Sequence, residues 1–582
     1  MPTTRFAAAA LAVLLLALPV RADAGDRTRD NIAAFAQLVG LLQHFHPSDQ
    51  AAAADWSRVV REGAPAAAGA DSPEALAAAL TRVLAPLAPS IQVFPSDAPP
   101  APPSPLLASA ENPFAGVVFW RHIGFTTMQQ DNIFARDRML IGLRNADGLR
   151  RVPDPTDFPI FDLGAGVSCR MPISVWVDTQ GRSLPLPGAG EADSAAARLS
   201  GPTLDALVPV ILVWGAVQHF SPAFIDSPEN MPIEWLDALR EAVSQALAAE
   251  EGQDALRPCS VMLTALHDAQ SLIVPTSFDA SPPMRLEWID GALLVAEADE
   301  GAPLRVGDRI VEIEGHAAAD WMAHALVAAP GAREEVRAHT ALAVGLLGPA
   351  GSTLSLSVRS PGDDAVRPVE VVRRSLPPTT NNPREVAPGV FYVDPSAYDD
   401  SSFIAVLNGP LSGAKAVIAD YRSLAARGLH RHLGSFLKTE APPITRLVPT
   451  PLRPNRVRMG LLNREALIVP NIPHNPAKLI LLVDAGTRSD PELDVVFVKR
   501  AKIGTIVGER TAGAAGPAAY YDIRDGDRRL VAQWTGTGTT LDGAQPTFAR
   551  GVEPDIVVLP TAEGLAAGRD EALEAAIRAA QE

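Results

Sequence analysis

The residue best placed to do chemistry is Ser489. It follows an almost purely apolar run, Leu479-Ile-Leu-Leu-Val-Asp484, and a short turn, Ala485-Gly486-Thr487-Arg488, and it opens a segment of helical pattern. Continuous apolar runs of this length mark buried parallel strands. A serine at the C-terminal end of such a strand, where a helix begins, faces unpaired backbone N–H groups at the positive end of the helix dipole. That combination suits a nucleophile, with the Asp490 N–H as half of an oxyanion hole. A plainer role competes: Ser489-x-x-Glu492, with Pro491 in the first turn, is also a capping box, and on this stretch alone capping outranks catalysis.

Two other sets of reactive side chains lead to simpler readings. Gln43-His44-Phe45-His46-Pro47 is echoed by Gln218-His219-Phe220-Ser221-Pro222, each copy following an apolar helical run and preceding a tryptophan, Trp56 or Trp235. Only His44 and His219 recur, and no carboxylate stands at ligand spacing in both copies, so the echo reads as a packing motif rather than a metal site. Cys169 and Cys259 fall in different segments and read as buried thiols rather than a bridge. No metal and no cofactor is expected.

The elements that must hold Ser489 divide the chain. Residues 1–24 combine a basic start at Arg5, an apolar stretch Phe6–Val20 and an Ala22-Asp23-Ala24 end, the pattern of a secretory signal peptide cut after Ala24. This implies a periplasmic or secreted protein with no membrane anchor after cleavage, and no later apolar run reads as long enough to span a bilayer. Residues 25–110 are helical in pattern and end in a proline-rich stretch, Pro95–Pro105. Residues 111–199 carry short β-rich runs at Gly116–His122, Met139–Leu143 and Ile173–Val177, which suggest a small sandwich or barrel. Helical periodicity returns over 200–282. Residues 283–378 alternate short strands with a helix. From 379 to 582 strands alternate with helices, with strands expected at Val390–Val393, Phe403–Leu407, Ala416–Asp420, Leu479–Asp484 and Ile503–Val507, an α/β texture. The fold class is therefore multidomain α+β. A formal charge of −17 from 67 acidic and 50 basic side chains argues against nucleic acid as partner, because phosphate binding needs a basic surface.

Two motifs carry a resemblance. Leu304-Arg-Val-Gly307-Asp308-Arg-Ile310-Val-Glu-Ile-Glu-Gly315 resembles the core of PDZ domains, which take an extended peptide as an added strand; the resemblance implies peptide contact near Leu304, Gly307, Asp308 and Ile310. The segment from Leu479 through Ser489 and Glu492 to Gly508-Glu509-Arg-Thr511-Ala-Gly513 resembles the nucleophile region of the tail-specific (C-terminal-processing, tricorn-core-like) serine peptidases. The match extends to Gly551-Val-Glu-Pro-Asp-Ile-Val-Val558 and, through the His-Phe-x-Pro helices, to a bacterial subgroup with a PDZ domain. It implies a crotonase/ClpP-like α/β core and hydrolysis of peptide bonds in extended segments or C-terminal tails, with protein or peptide as the partner.

The pattern is partly degenerate. Where one branch of that family has a lysine, this chain has Ala514-Ala515-Gly516, which excludes that branch unless folding brings Lys502 round. Where the other branch has its histidine, this chain reads Leu266-His267-Asp268-Ala269-Gln270, so Gln270 stands at the position of the base and His267 is the remaining candidate. An amide hydrogen-bonds but takes no proton near neutral pH. Asp420-Tyr-Arg-Ser423-Leu424-Ala-Ala426 replaces the family's glycine-rich oxyanion loop, and Pro491 removes an N–H donor. Two functions follow: a serine endopeptidase using Ser489 with His267 or another base, or a silent relative that binds protein tails.

Overall fold

The computed structural model describes residues 24–582 apart from 103–114, 128–133, 143–152, 185–198, 225–230, 376–382, 423–431, 452–453, 455–459, 472–473, 541–547 and the single positions 99, 300 and 467. The signal-peptide stretch 1–23 and the oxyanion candidates Ser423 and Leu424 lie outside the described residues.

Beside the short helix Asp49–Ala53, six longer helices share the largest apolar core: Ala24–Phe45, Trp56–Ala68, Pro73–Leu84, Gly201–Phe220, Met231–Leu247 and Arg257–Thr264. They form two copies of one plan, since each set of three helices ends in a short strand, Gln92–Pro95 in the first copy and Leu272–Pro275 in the second. The echo of His-Phe motifs is thus the visible trace of a longer repeat. Its two long helices cross where side chains vanish: a Cβ on Gly215 would stand 3.0 Å from the Gly40 Cα. Phe45 and Phe220 stack with centroids 6.3 Å apart, and the rings of His44 and His219 lie 6.2 Å apart edge to face. Burial, with Arg136 adding to it, holds the His44 pKa well below the usual histidine value, so the ring is neutral in this apolar cluster.

The helix Gly201–Phe220 corrects one sequence expectation. It is long and apolar enough to cross a membrane, yet 83% of its apolar window is buried inside the protein. A helix that is apolar all round is accounted for by burial in a large core as well as by lipid.

Between the helical copies lie two three-stranded antiparallel sheets. One joins Ala135–Gly142, Gly116–Ile123 and Ser174–Val177; the other joins Gln92–Pro95, Val167–Arg170 and Ile160–Gly164. The second sheet therefore takes a strand from the first helical segment, pairing Val93 with Cys169. Both cysteines are buried and free.

Residues 284–372 form an antiparallel sheet in the order Val366–Val372, Thr353–Arg359, Arg309–Ile313, Ala292–Ala298, Met284–Ile289, with the helices Ala318–Val327 and Glu334–Gly345. The last unit is built on a six-stranded sheet, Arg384–Ala387, Val390–Val393, Ala416–Asp420, Lys478–Val483, Gly504–Gly508, Ile556–Val557, parallel from Val390 onward. Alternate residues serve opposite faces: Leu479 and Leu481 pack toward the helices Asp400–Asn408 and Ser489–Ala501, whereas Ile480 and Leu482 pack toward Glu571–Gln581. Phe403–Leu407, expected as a strand, lies inside the helix Asp400–Asn408. Asp399 and Ser402 close a reciprocal capping box there, which four- to five-residue apolar periodicity alone does not reveal.

One packing constraint is directly testable. Gly215→Val would drive a side chain into the backbone of Gly40, and overpacking of this kind typically costs about 1–3 kcal/mol. Urea unfolding of the variant should show that loss, whereas the same change at exposed Gly181, whose Cβ position is open although its backbone φ is positive, should cost only the backbone strain.

Candidate active site

The strand Lys478–Val483 delivers the chain to the C-terminal edge of the parallel sheet, where Asp484 starts a tight turn. Its backbone N–H donates to Thr487 Oγ1 at 3.0 Å, its Oδ1 accepts from the Gly486 N–H at 2.9 Å, and Thr487 Oγ1 donates in turn to the Tyr421 carbonyl at 3.0 Å. Arg488 is the N-cap of the next helix but offers it no side-chain cap. Its guanidinium reaches away, donating to the Ala269 carbonyl at 2.8 Å.

Ser489 is therefore the first helical residue and not its cap, and it holds a φ of +61°. This corrects the capping-box reading. A left-handed backbone at a residue with a Cβ costs on the order of 1–2 kcal/mol, and such strain persists only where the surroundings impose it. Here the imposing element is the strand-like stretch Ala514–Gly516. The Ser489 N–H donates to the Ala514 carbonyl at 3.0 Å, the Gly516 N–H donates to the Ser489 carbonyl at 3.1 Å, and the hydroxyl reaches the Gly516 carbonyl at 3.4 Å.

Glu492, the other half of the expected box, faces the same stretch. It is fully buried and accepts from Thr511 Oγ1 at 2.5 Å, the Gly513 N–H at 2.8 Å and the Ala514 N–H at 2.7 Å. Burial pushes its pKa up to about 7 while these donors pull it down. Thr511 Oγ1 also accepts from the Val552 N–H at 2.7 Å, tying in the closing segment of the chain.

The strand Leu272–Pro275 pairs with Arg528–Thr535 in the meander Ala518–Asp525, Arg528–Thr535, Leu272–Pro275, and so carries the preceding turn to Ser489. His267 lies in the turn after the helix Arg257–Thr264, in a left-handed conformation with an exposed side chain, while Gln270 is buried. The Gln270 amide Nε2 donates to the carbonyls of Ala514 at 2.6 Å and Gly516 at 3.1 Å and to Thr535 Oγ1 at 3.0 Å. Ser489 and Gln270 thus share one acceptor, the Gly516 carbonyl. The structure brings Ser489, Glu492 and Gln270 together and leaves His267 on the surface. Lys502 caps the far end of the helix that Ser489 begins, roughly 20 Å away at 1.5 Å per residue.

Sequence reasoning missed Asp268 and Thr535, which fix the amide. Thr535 Oγ1 donates to Asp268 Oδ1 at 2.7 Å, and Asp268 also accepts from the backbone N–H groups of Thr535 and Gln270 and from Ser271 Oγ. The threonine proton being spent on Asp268, every partner of Nε2 is an acceptor, so this end of the amide is the donor. At the oxyanion position, the Ser489 N–H is already engaged and Pro491 has none, which leaves that of Asp490 in the first turn.

The residues expected to contact peptide in the 284–372 unit also have internal roles. Leu304 and Ile310 belong to the unit's apolar core, and buried Asp308 accepts from the Arg305 N–H and Arg367. Gly307, at φ +86°, sits against the Leu565 carbonyl, which a Cβ would approach to 2.7 Å.

Ser489 thus stands at a strained strand-to-helix turn, braced by the buried Glu492. Residues 452–558, which include Ser489 and Glu492, match the model of peptidase family S41. No curated protein matches the sequence. Among solved structures, mature CPAF complexed with lactacystin is similar at 15% identity and a TM-score of 0.48, over 66% of this chain and 98% of that one. A photosystem II D1 C-terminal processing protease gives 19% identity and 0.36, over 64% and 99%. The tricorn protease gives 15% and 0.33, over 73% and 41%.

The strain at Ser489 yields a prediction. Ser489→Gly removes the left-handed penalty and should raise unfolding stability by about 1 kcal/mol, whereas Ser489→Ala should leave it nearly unchanged. Denaturant titration of both variants separates this from a capping role, under which both would lose stability.

Proposed function

We propose that this chain keeps the tail-specific peptidase architecture as a binder of extended polypeptide, with hydrolysis disabled at the base. The observation that carries the reading is the Gln270 amide, fixed as a donor against the same Gly516 carbonyl that Ser489 reaches. A general base must accept the serine proton, and this end of the amide has no lone pair to do so.

Peptide binding is supported by what adjoins the site. The strand Leu272–Pro275 is the terminal strand of its sheet, so its outer edge is paired by no other described strand and is open to an added one. A groove of about 360 Å³ runs beside it between the helical repeat and the 284–372 unit, lined by Leu263, Ile273, Trp321 and Val344. Ser271, which follows Gln270, and Thr340, which accepts from Arg488 at 3.4 Å, line it too. The 284–372 unit carries the PDZ-like pattern and serves in this reading to present tails to the groove.

The left-handed Ser489 favours a second reading, an active peptidase, because strain of this kind collects at nucleophiles. One experiment decides. The wild-type protein should remain unlabelled by a fluorophosphonate probe and leave casein intact, and Gln270→His should gain labelling, since general-base help is worth about a hundred- to ten-thousand-fold. Labelling of wild type at Ser489, with loss in Ser489→Ala, overturns the binding-only reading.

Export is part of the proposal, resting on the basic start, apolar stretch and Ala22-x-Ala24 end. Mass spectrometry of protein recovered from an exporting host should find Gly25 as the first residue; a chain retaining Met1 would refute it.

A further inference from the structure

The 284–372 unit meets the nucleophile turn through buried charge. Glu287 from the strand Met284–Ile289, His339 from the helix Glu334–Gly345 and Asp484 from the head of the turn each offer a ligand atom, all within 4.8 Å of one another. Two carboxylates and an imidazole form a donor set suited to divalent transition metals. Ligands on one such ion stand about 3.4–4.2 Å apart at metal–ligand distances of about 2.1 Å, so side-chain shifts of under about an ångström would close the set.

Proximity of acids alone proves nothing, but one atom here lacks a partner. Asp484 is 5% exposed, and while its Oδ1 serves the turn, its Oδ2 is buried without any hydrogen bond. A bare carboxylate oxygen in a protein interior is costly unless a cation meets it. The neighbouring atoms leave room for one. Arg285 occupies Oε1 of Glu287, whereas Oε2 lies 3.5 Å from His339 Nε2. A Cβ on Gly486 would stand 3.0 Å from His339 Nδ1 and 3.2 Å from Asp484 Oδ1, so glycine lets the ring lie against the turn.

We infer that Glu287, His339 and Asp484 bind a divalent cation of the zinc class, which staples the 284–372 unit to the turn that carries Ser489. The local field already asks for positive charge. Burial and the neighbouring Arg285 oppose a charge on His339, yet Glu287, Asp484 and Glu509 outweigh them and raise the pKa. Burial pushes Glu509 up to about 7, with His339 acting against it. A cation would take the place of the imidazole proton, so binding should weaken on acidification. The three ligands are separated by 52 and 145 positions in the chain, which is why no sequence motif announces them.

The test uses the full chain, stripped with a chelator and titrated with ZnCl2 by calorimetry at neutral pH. One ion per chain should bind and raise the melting temperature. Loss of even an outer partner of a metal ligand commonly costs about 10–100-fold, so His339→Ala and Glu287→Gln should each weaken binding at least about tenfold. Circular dichroism would confirm that both variants fold. Absence of saturable binding to wild type, or wild-type affinity in the two folded variants, overturns the site.

Discussion

The geometry around Ser489 depends on a buried carboxylate that gathers three donors from a loop nineteen to twenty-two residues away. Glu492 accepts from Thr511 Oγ1 and the Gly513 and Ala514 N–H groups, and so holds the Ala514–Gly516 stretch alongside the start of the helix. That stretch then fixes the left-handed backbone of Ser489 and offers the carbonyls on which Gln270 is seated. These groups are buried, so removing one partner leaves the others unmet. A glutamate that looked like half of a helix cap is thus the brace for Ser489 and the Gln270 amide alike.

The second support comes from the helical repeat. Both copies end in a strand, but only Leu272–Pro275 of the second pairs into the meander that includes Arg528–Thr535. This pairing sets the register that turns Gln270 inward and places Thr535 beside Asp268. In the first copy the corresponding strand, Gln92–Pro95, joins a separate small sheet. One repeated plan therefore supplies a scaffold from one copy and a site residue from the other.

Much of this was legible in the residues. Leu479–Asp484 announced a buried strand, Ser489 stood at its exit, and the His-Phe echo marked packing between helices. What the sequence withheld was conformational sign and register. Nothing in Ser489-Asp490-Pro491-Glu492 distinguishes a cap with extended backbone from a first helical residue at φ +61°, because the distinguishing partners, Ala514 and Gly516, are supplied by tertiary structure. Phe403–Leu407 is apolar enough for a strand, and only the capping box of Asp399 and Ser402 decides for helix. His267 and Gln270 are one helical turn apart on paper, yet the helix stops at Thr264 and the left-handed turn at His267 leaves the two side chains in different environments.

The same register explains why a glutamine at this position differs in kind from a weak base. Asp268 is satisfied by donors from Thr535, Gln270 and Ser271, and it consumes the threonine proton. Thr535 can then only accept from Gln270, and the two carbonyls beside it can only accept as well. A neutral imidazole with its protonated nitrogen toward Thr535 would fit this chain of acceptors on one side and leave its other nitrogen basic. The amide satisfies the acceptors and has no second nitrogen to offer. The surroundings of Gln270 are therefore those that would orient a histidine tautomer.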